Sequence, residues 1–118
     1  MLKKNKYIEQ IKGILSKYNP YLILLFGSYA YGVPNEDSDI DIMVVTQHNF
    51  IPKNFEEKSK IYQEISRAIR PVKRKIAVDL IVFTLPMYKK FIELNSSFAR
   101  EIIENGKVIY ESNNKTMA

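Results

Sequence analysis

In the stretch Asp39-Ile40-Asp41-Ile42-Met43-Val44-Val45, two acids alternate with isoleucines and then give way to an unbroken apolar run. A period of two puts Asp39, Asp41, Met43 and Val45 on one face of a strand, and Ile40, Ile42 and Val44 on the other. A strand this apolar belongs inside a sheet, so the two acids stand at the mouth of a core element. Their α carbons are about 6.5–7 Å apart. Carboxylates held that close repel each other unless a cation lies between them. Magnesium prefers hard oxygen ligands and takes one or two carboxylates, with waters and phosphate oxygens completing its shell. A solvated strand face is the plainer alternative, and the apolar neighbours argue against it.

The rest of the chain supplies companions for this strand. Ile8, Ile11, Ile14 and Leu15 are spaced along one face of a helix that Asn19-Pro20 ends. Residues 21–26 are a short apolar run of strand length closed by Gly27. Residues 27–32 then read as a turn opening into a short helix, and 33–38 as a loop. Ile61, Ile65, Ala68 and Ile69 mark an amphipathic helix over 55–69, ended at Pro71. Residues 75–84 form a third strand, with Val78, Leu80 and Val82 on one face and Ala77, Asp79, Ile81 and Phe83 on the other. Pro86 begins a last helix through Phe91, Ile92, Phe98 and Ile102. Asn105-Gly106 is a turn, and 107–110 add a small strand. The fold class is therefore α/β (α+β): a small mixed sheet with helices packed on one face, leaving the other free to carry a site.

The 118 residues make one domain, over 1–111, with a polar C-terminal tail over 112–118. With 46% hydrophobic residues the chain can bury a core of its own. It has no cysteine, which excludes disulfides and thiolate zinc sites and suits a cytoplasmic protein. There is no signal-peptide stretch, and no run approaches the roughly 20 apolar residues of a membrane span. A net charge of +5 favours acidic partners such as nucleotides, nucleic acid or an acidic protein without choosing among them, and leaves direct nucleic-acid binding open.

Two further features bear on a site. Gly27-Ser28 directly follows the first strand, where glycine lets backbone amides approach a ligand and the serine hydroxyl suits a phosphate oxygen. Asp79 lies within the apolar third strand. It either pairs with a base such as Arg74 or Lys75, or lies on an edge strand turned to water, or stands beside Asp39 and Asp41 on an adjacent strand and shares their metal. His48, the single histidine, reads as a loop residue. The basic run Arg67, Arg70, Lys73, Arg74 and Lys75 fits a solvated helix end as well as an acidic partner.

Together, Gly27-Ser28-Tyr29-Ala30-Tyr31-Gly32, Ser38-Asp39-Ile40-Asp41-Ile42 and Val78-Asp79-Leu80-Ile81 resemble the minimal nucleotidyltransferases of the polymerase-beta-like superfamily. The likeness extends to Phe98-Ala99-Arg100-Glu101-Ile102 and Gly106-Lys107-Val108-Ile109-Tyr110. It implies the polymerase-beta-like nucleotidyltransferase fold and transfer of AMP from ATP to an acceptor hydroxyl by a two-magnesium mechanism. Asp39, Asp41 and Asp79 would be the metal ligands and catalytic acids, with Gly27 and Ser28 holding the triphosphate. It also implies a partner, a HEPN-domain toxin, modified at a tyrosine within a hetero-oligomer, with this chain as the antitoxin. Many relatives carry arginine near position 29 or 31, where this chain has tyrosine. Two alternatives stand beside this reading. One is a subunit that neutralises its partner by contact alone; the other is a nucleotidyltransferase acting on RNA ends or a small molecule.

Overall fold

The computed structural model describes residues 5–31 and 39–112. The loop expected at 33–38 and positions 113–118 of the tail lie outside the described residues, as do the side chains of Tyr29 and Tyr31. Helix α1 (Asn5–Ser16) buries Ile8, Ile11 and Leu15, the face its spacing predicts. Asn19, at φ 47°, takes the left-handed turn before Pro20 that leads into β1 (Leu22–Phe26). Helix α2 (Ser28–Tyr31) follows at once, and β2 (Ile40–Val45) returns antiparallel to β1.

Helix α3 (Phe55–Ala68) starts on a reciprocal cap. The Glu57 amide donates to Asn54 Oδ1 at 2.9 Å, and the Lys53 amide donates to Glu57 Oε1 at 3.0 Å. Pro71 does not simply end this helix. It sits in the first turn of a short helix α4 (Arg70–Lys73), where its missing amide has no helical partner to lose. Strand β3 (Val78–Phe83) then runs parallel to β2.

The single last helix expected from Pro86 onward is two helices, α5 (Leu85–Leu94) and α6 (Ser97–Asn105). Asn95 takes the left-handed conformation at φ 49°, which asparagine tolerates at a helix end. Ser96 then caps α6, accepting from the Ala99 amide at 3.1 Å. Strand β4 (Lys107–Glu111) closes the far edge against β1. Beyond it Ser112 is buried and donates its amide to Tyr21 O at 3.1 Å, so the packed body reaches one residue into the expected tail.

The sheet order is β3-β2-β1-β4, antiparallel except for the β2–β3 pair. One face carries Ile23, Leu25, Ile40, Ile42, Val44 and Val82 against α1, α3 and α4. The other face is not left bare. Leu22, Leu24, Phe26, Met43 and Val45 meet Ile102 of α6, with Tyr88 and Phe91 of α5 packed around them. Helices therefore cover both faces, and the acids occupy only the stretch of the second face at the start of β2 and β3.

Candidate active site

Two strands that run the same way bring their first residues together at one end of the sheet. In the parallel register Asp41 lies level with Asp79, and Ile40 with Val78. Level residues share a face, so both carboxyls rise from the side that holds Met43 and Ile81 further along. On the other side of β2, Asp41 lies opposite Phe26, the residue before Gly27. One strand end thus gathers Phe26, Gly27, Asp41 and Asp79.

The two acids interact directly. Burial pushes the Asp41 carboxyl up to about 6, and the charges of Asp79 and then Asp39 push it the same way. A hydrogen bond to Asp79 stabilises the protonated form further. Asp79 thus faces another acid. Asp39 is exposed at the entrance to β2, close enough to act on Asp41 through its charge. The three acids are gathered at one end of adjacent strands, but they do not close into a cage. Among the described residues, no group of three or more His, Cys, Asp or Glu side chains is arranged to hold a metal ion. The donor chemistry nevertheless fits magnesium. Two hard carboxyls meet with one of them partly buried, and a dication that needs only one or two protein carboxylates would relieve their repulsion.

Gly27 has a steric role that the sequence reading lacked. Its φ is +71°, and a β carbon there would overlap the carboxyl of Asp41. Any side chain at 27 would displace the acid as well as strain the turn. Ser28 follows, half-buried, as the first residue of α2. His48 lies between β2 and α3 as a loop residue, its Nδ1 2.7 Å from Thr46 Oγ1. From the basic run, Lys73 donates to Ser66 Oγ at 2.6 Å on the α3–α4 side of the sheet.

A chain of aromatic contacts that ends on Phe26, opposite Asp41, also escaped the sequence reading. The ring of Phe98 meets Phe26 edge-on at 5.8 Å and Phe91 at 5.9 Å, and Phe91 lies 5.2 Å from Phe83. Phe26 is buried, while Phe98 is 44% exposed. The signal was the aromatic that opens Phe98-Ala99-Arg100, which spacing alone assigns to a helix face.

The family described as Polymerase beta, Nucleotidyltransferase matches residues 9–115. The Methanocaldococcus jannaschii protein named "Putative protein adenylyltransferase MJ0604" is 31% identical over 104 residues, covering 86% of this chain and 92% of that protein. "Putative protein adenylyltransferase MJ1379" of the same organism is 36% identical over 99 residues, covering 75% and 93%. Among solved structures, a "putative nucleotidyltransferase from Sulfolobus solfataricus" superposes with a TM-score of 0.57 at 21% identity, over 90% of this chain and 78% of that one. A structure of a "toxin-antitoxin with AMP-PNP" gives 0.51 at 23% identity, over 98% and 79%. At these identities the two structures speak for the fold.

Proposed function

Because the chain belongs to the polymerase beta nucleotidyltransferase family, its reaction is nucleotidyl transfer, and we propose that it moves AMP from ATP to the phenolic hydroxyl of a tyrosine on a partner protein. The observation that carries this reading is Asp41 set level with Asp79 in the parallel register and packed against the backbone of Gly27. Two acids held together, one of them partly buried, work against folding, and positive charge at that point relieves them.

In the transfer, the phenolic oxygen bonds to the α-phosphorus as the bond from that phosphorus to the pyrophosphate oxygen breaks. The phenol's proton leaves to a carboxylate; the exposure of Asp79 on its strand supports it as the acceptor. Asp39, Asp41 and Asp79 would hold two magnesium ions, whose chemistry when bound is to lower the acceptor's pKa and neutralise the leaving pyrophosphate. Gly27 keeps Asp41 in place, and the Ser28 hydroxyl serves the triphosphate. The work is positioning and charge stabilisation, so a chain without cysteine lacks nothing it needs.

A protein acceptor is supported by two relatives above 30% identity that bear the name protein adenylyltransferase. The resemblance to minimal nucleotidyltransferases supports a helical HEPN-domain toxin as that protein, a hetero-oligomer with it, and an antitoxin role in the cytoplasm. No helix among the described residues is long and apolar enough to cross a membrane. Tyrosine at 29 and 31, which cannot balance phosphate charge as arginine does, favours the second reading of neutralisation by contact alone.

Mass spectrometry of the partner, co-produced with this chain and given ATP and magnesium, separates the two. We expect a gain of one or more AMP units on a tyrosine, lost with Asp79→Asn. A neutralised partner of unchanged mass would establish the contact reading. Transfer to RNA with the partner left unmodified would establish the other alternative.

A further inference from the structure

Strand β3 forms one edge of the sheet, and among the described strands only β2 pairs with it. The Ile40 amide donates to Ala77 O at 3.1 Å, and the Thr46 amide to Phe83 O at 2.8 Å. With a period of two, Ala77, Asp79, Ile81 and Phe83 turn their backbone groups toward β2. Those of Val78, Leu80 and Val82 therefore face away, along the free edge. Edge strands in proteins are usually blunted by lysine, proline or a bulge. Val78-Asp79-Leu80-Ile81-Val82-Phe83 has neither residue, and its register with β2 is unbroken.

A groove of about 430 Å³ runs along this edge, between β3 and α3. Phe55 and Tyr62 line it from the helix, and Leu80 and Val82 from the strand. Phe55 is 82% exposed, an unusual position for a phenylalanine. Lys58 is the single charged residue among those lining the groove.

We propose that the acceptor is presented as an extended segment that adds to the free edge of β3 as a further strand. This rests on the transfer reading above and says how its acceptor arrives. The edge is continuous with the acids, because Asp79 is part of it. The opposite edge, β4, lies two strands from Asp41, so β3 is the short way in. On an added strand, the residue level with Asp79 points to the face that holds Asp79 and Asp41. Its two neighbours point the other way, one level with Val78 and the other with Leu80; the second meets the groove, where Phe55, Tyr62, Leu80 and Val82 favour apolar side chains. Lys58 favours an acid beyond them. The segment is thus a tyrosine between apolar residues with an acid nearby, bound chiefly by main-chain hydrogen bonds.

A short synthetic peptide with tyrosine between two valines and a following glutamate is the probe. Hydrogen exchange of the full chain, followed by NMR with saturating peptide and no ATP, should slow at the amides of Val78, Leu80 and Val82. A peptide methylated on the backbone nitrogens facing β3 should not slow them. With ATP and magnesium, Phe55→Ala should raise the KM for the peptide about tenfold, leaving kcat and the KM for ATP unchanged. Phe55 is too exposed for its loss to disturb the fold. Unchanged exchange at these amides overturns the docking, whether or not the peptide is modified. Protection of the same amides in the protein alone, with self-association on sedimentation, also overturns it by assigning the edge to a second copy. Slowed exchange without transfer upholds the docking and counts against AMP transfer instead.

Discussion

The two faces of β2 carry the same backbone and opposite duties. On one, Ile40, Ile42 and Val44 are fully buried against α1, α3 and α4. On the other, Met43 and Val45 are just as buried under α5 and α6, yet two residues earlier Asp41 is half-buried against another acid. The first face has one task along its whole length. The second changes from core to chemistry within one step of the pleat. The wholly apolar face gives the acids a rigid base, so their mutual repulsion distorts the site less than it would on a loop. Replacing Asp41 should therefore cost activity without stability, and replacing a residue of the first face stability without chemistry.

The sharpest break comes from Asp41→Asn. Transfer to any acceptor should fall about a thousandfold, measured with labelled ATP. The melting temperature in the absence of magnesium should hold or rise, because the substitution removes a buried charge and one side of the repulsion. A variant that melts much earlier would show that the acid supports the fold and would erase the contrast between the faces. Ile42→Ala, one residue away on the other face, should do the reverse. It should cost about 2–5 kcal/mol in denaturant unfolding, with kcat per folded molecule close to that of the wild type. A large kcat loss there would mean that the two faces are not separable.

The smallest effect concerns pH. Asp41 titrates at about 6 in the folded chain, against 3.8 for the ordinary side chain. A raised folded value means that the native state binds the proton more tightly than the unfolded one. This contribution to stability is full below about 3.8 and is lost as pH rises through about 6. Without magnesium, the difference in melting temperature between wild type and Asp41→Asn should shift in favour of the wild type as pH falls from 7 to 5. Saturating magnesium should reduce that shift by competing with the proton. A difference that does not change with pH would remove the case for a strained acid pair.

The sequence revealed different parts of this arrangement to different degrees. The strands β1 and β2 were legible because alternation and apolar runs are local signals, and α1 and α3 because their apolar residues recur on one side. The division of the last helix was missed, although Asn95-Ser96 carried the signal: asparagine accepts a left-handed turn and serine caps a helix. The cover over the second face was missed for another reason. Periodicity shows that α5 and α6 have an apolar side, but not which side of the sheet they cross to. In the same way, the pattern of β3 put Asp79 with Ala77 and Ile81 without fixing its register against Asp41. Family likeness suggested that the two were neighbours, and the parallel pairing of β2 and β3 makes them so. The need for Gly27 could be read as turn chemistry. Its contact with Asp41 could not, since it depends on two strands meeting.

Strand β1 is flanked by β2, which follows it closely in the chain, and by β4, which comes some eighty residues later. Its second neighbour is thus the last described strand to be synthesised. On the ribosome, Leu22–Phe26 must wait with one edge open while every other described strand emerges. Pairings this distant in the chain close slowly, because the intervening segment must first be drawn together. The strand that leads into the glycine turn therefore keeps one edge open until Lys107–Glu111 has been made. Ser112 then fastens the closure, its amide on Tyr21 and its hydroxyl accepting from Gln47 Nε2 at 3.1 Å. A product truncated short of β4 would keep the β2–β3 pairing that sets Asp41 level with Asp79 and lose the strand that covers the outer edge of β1.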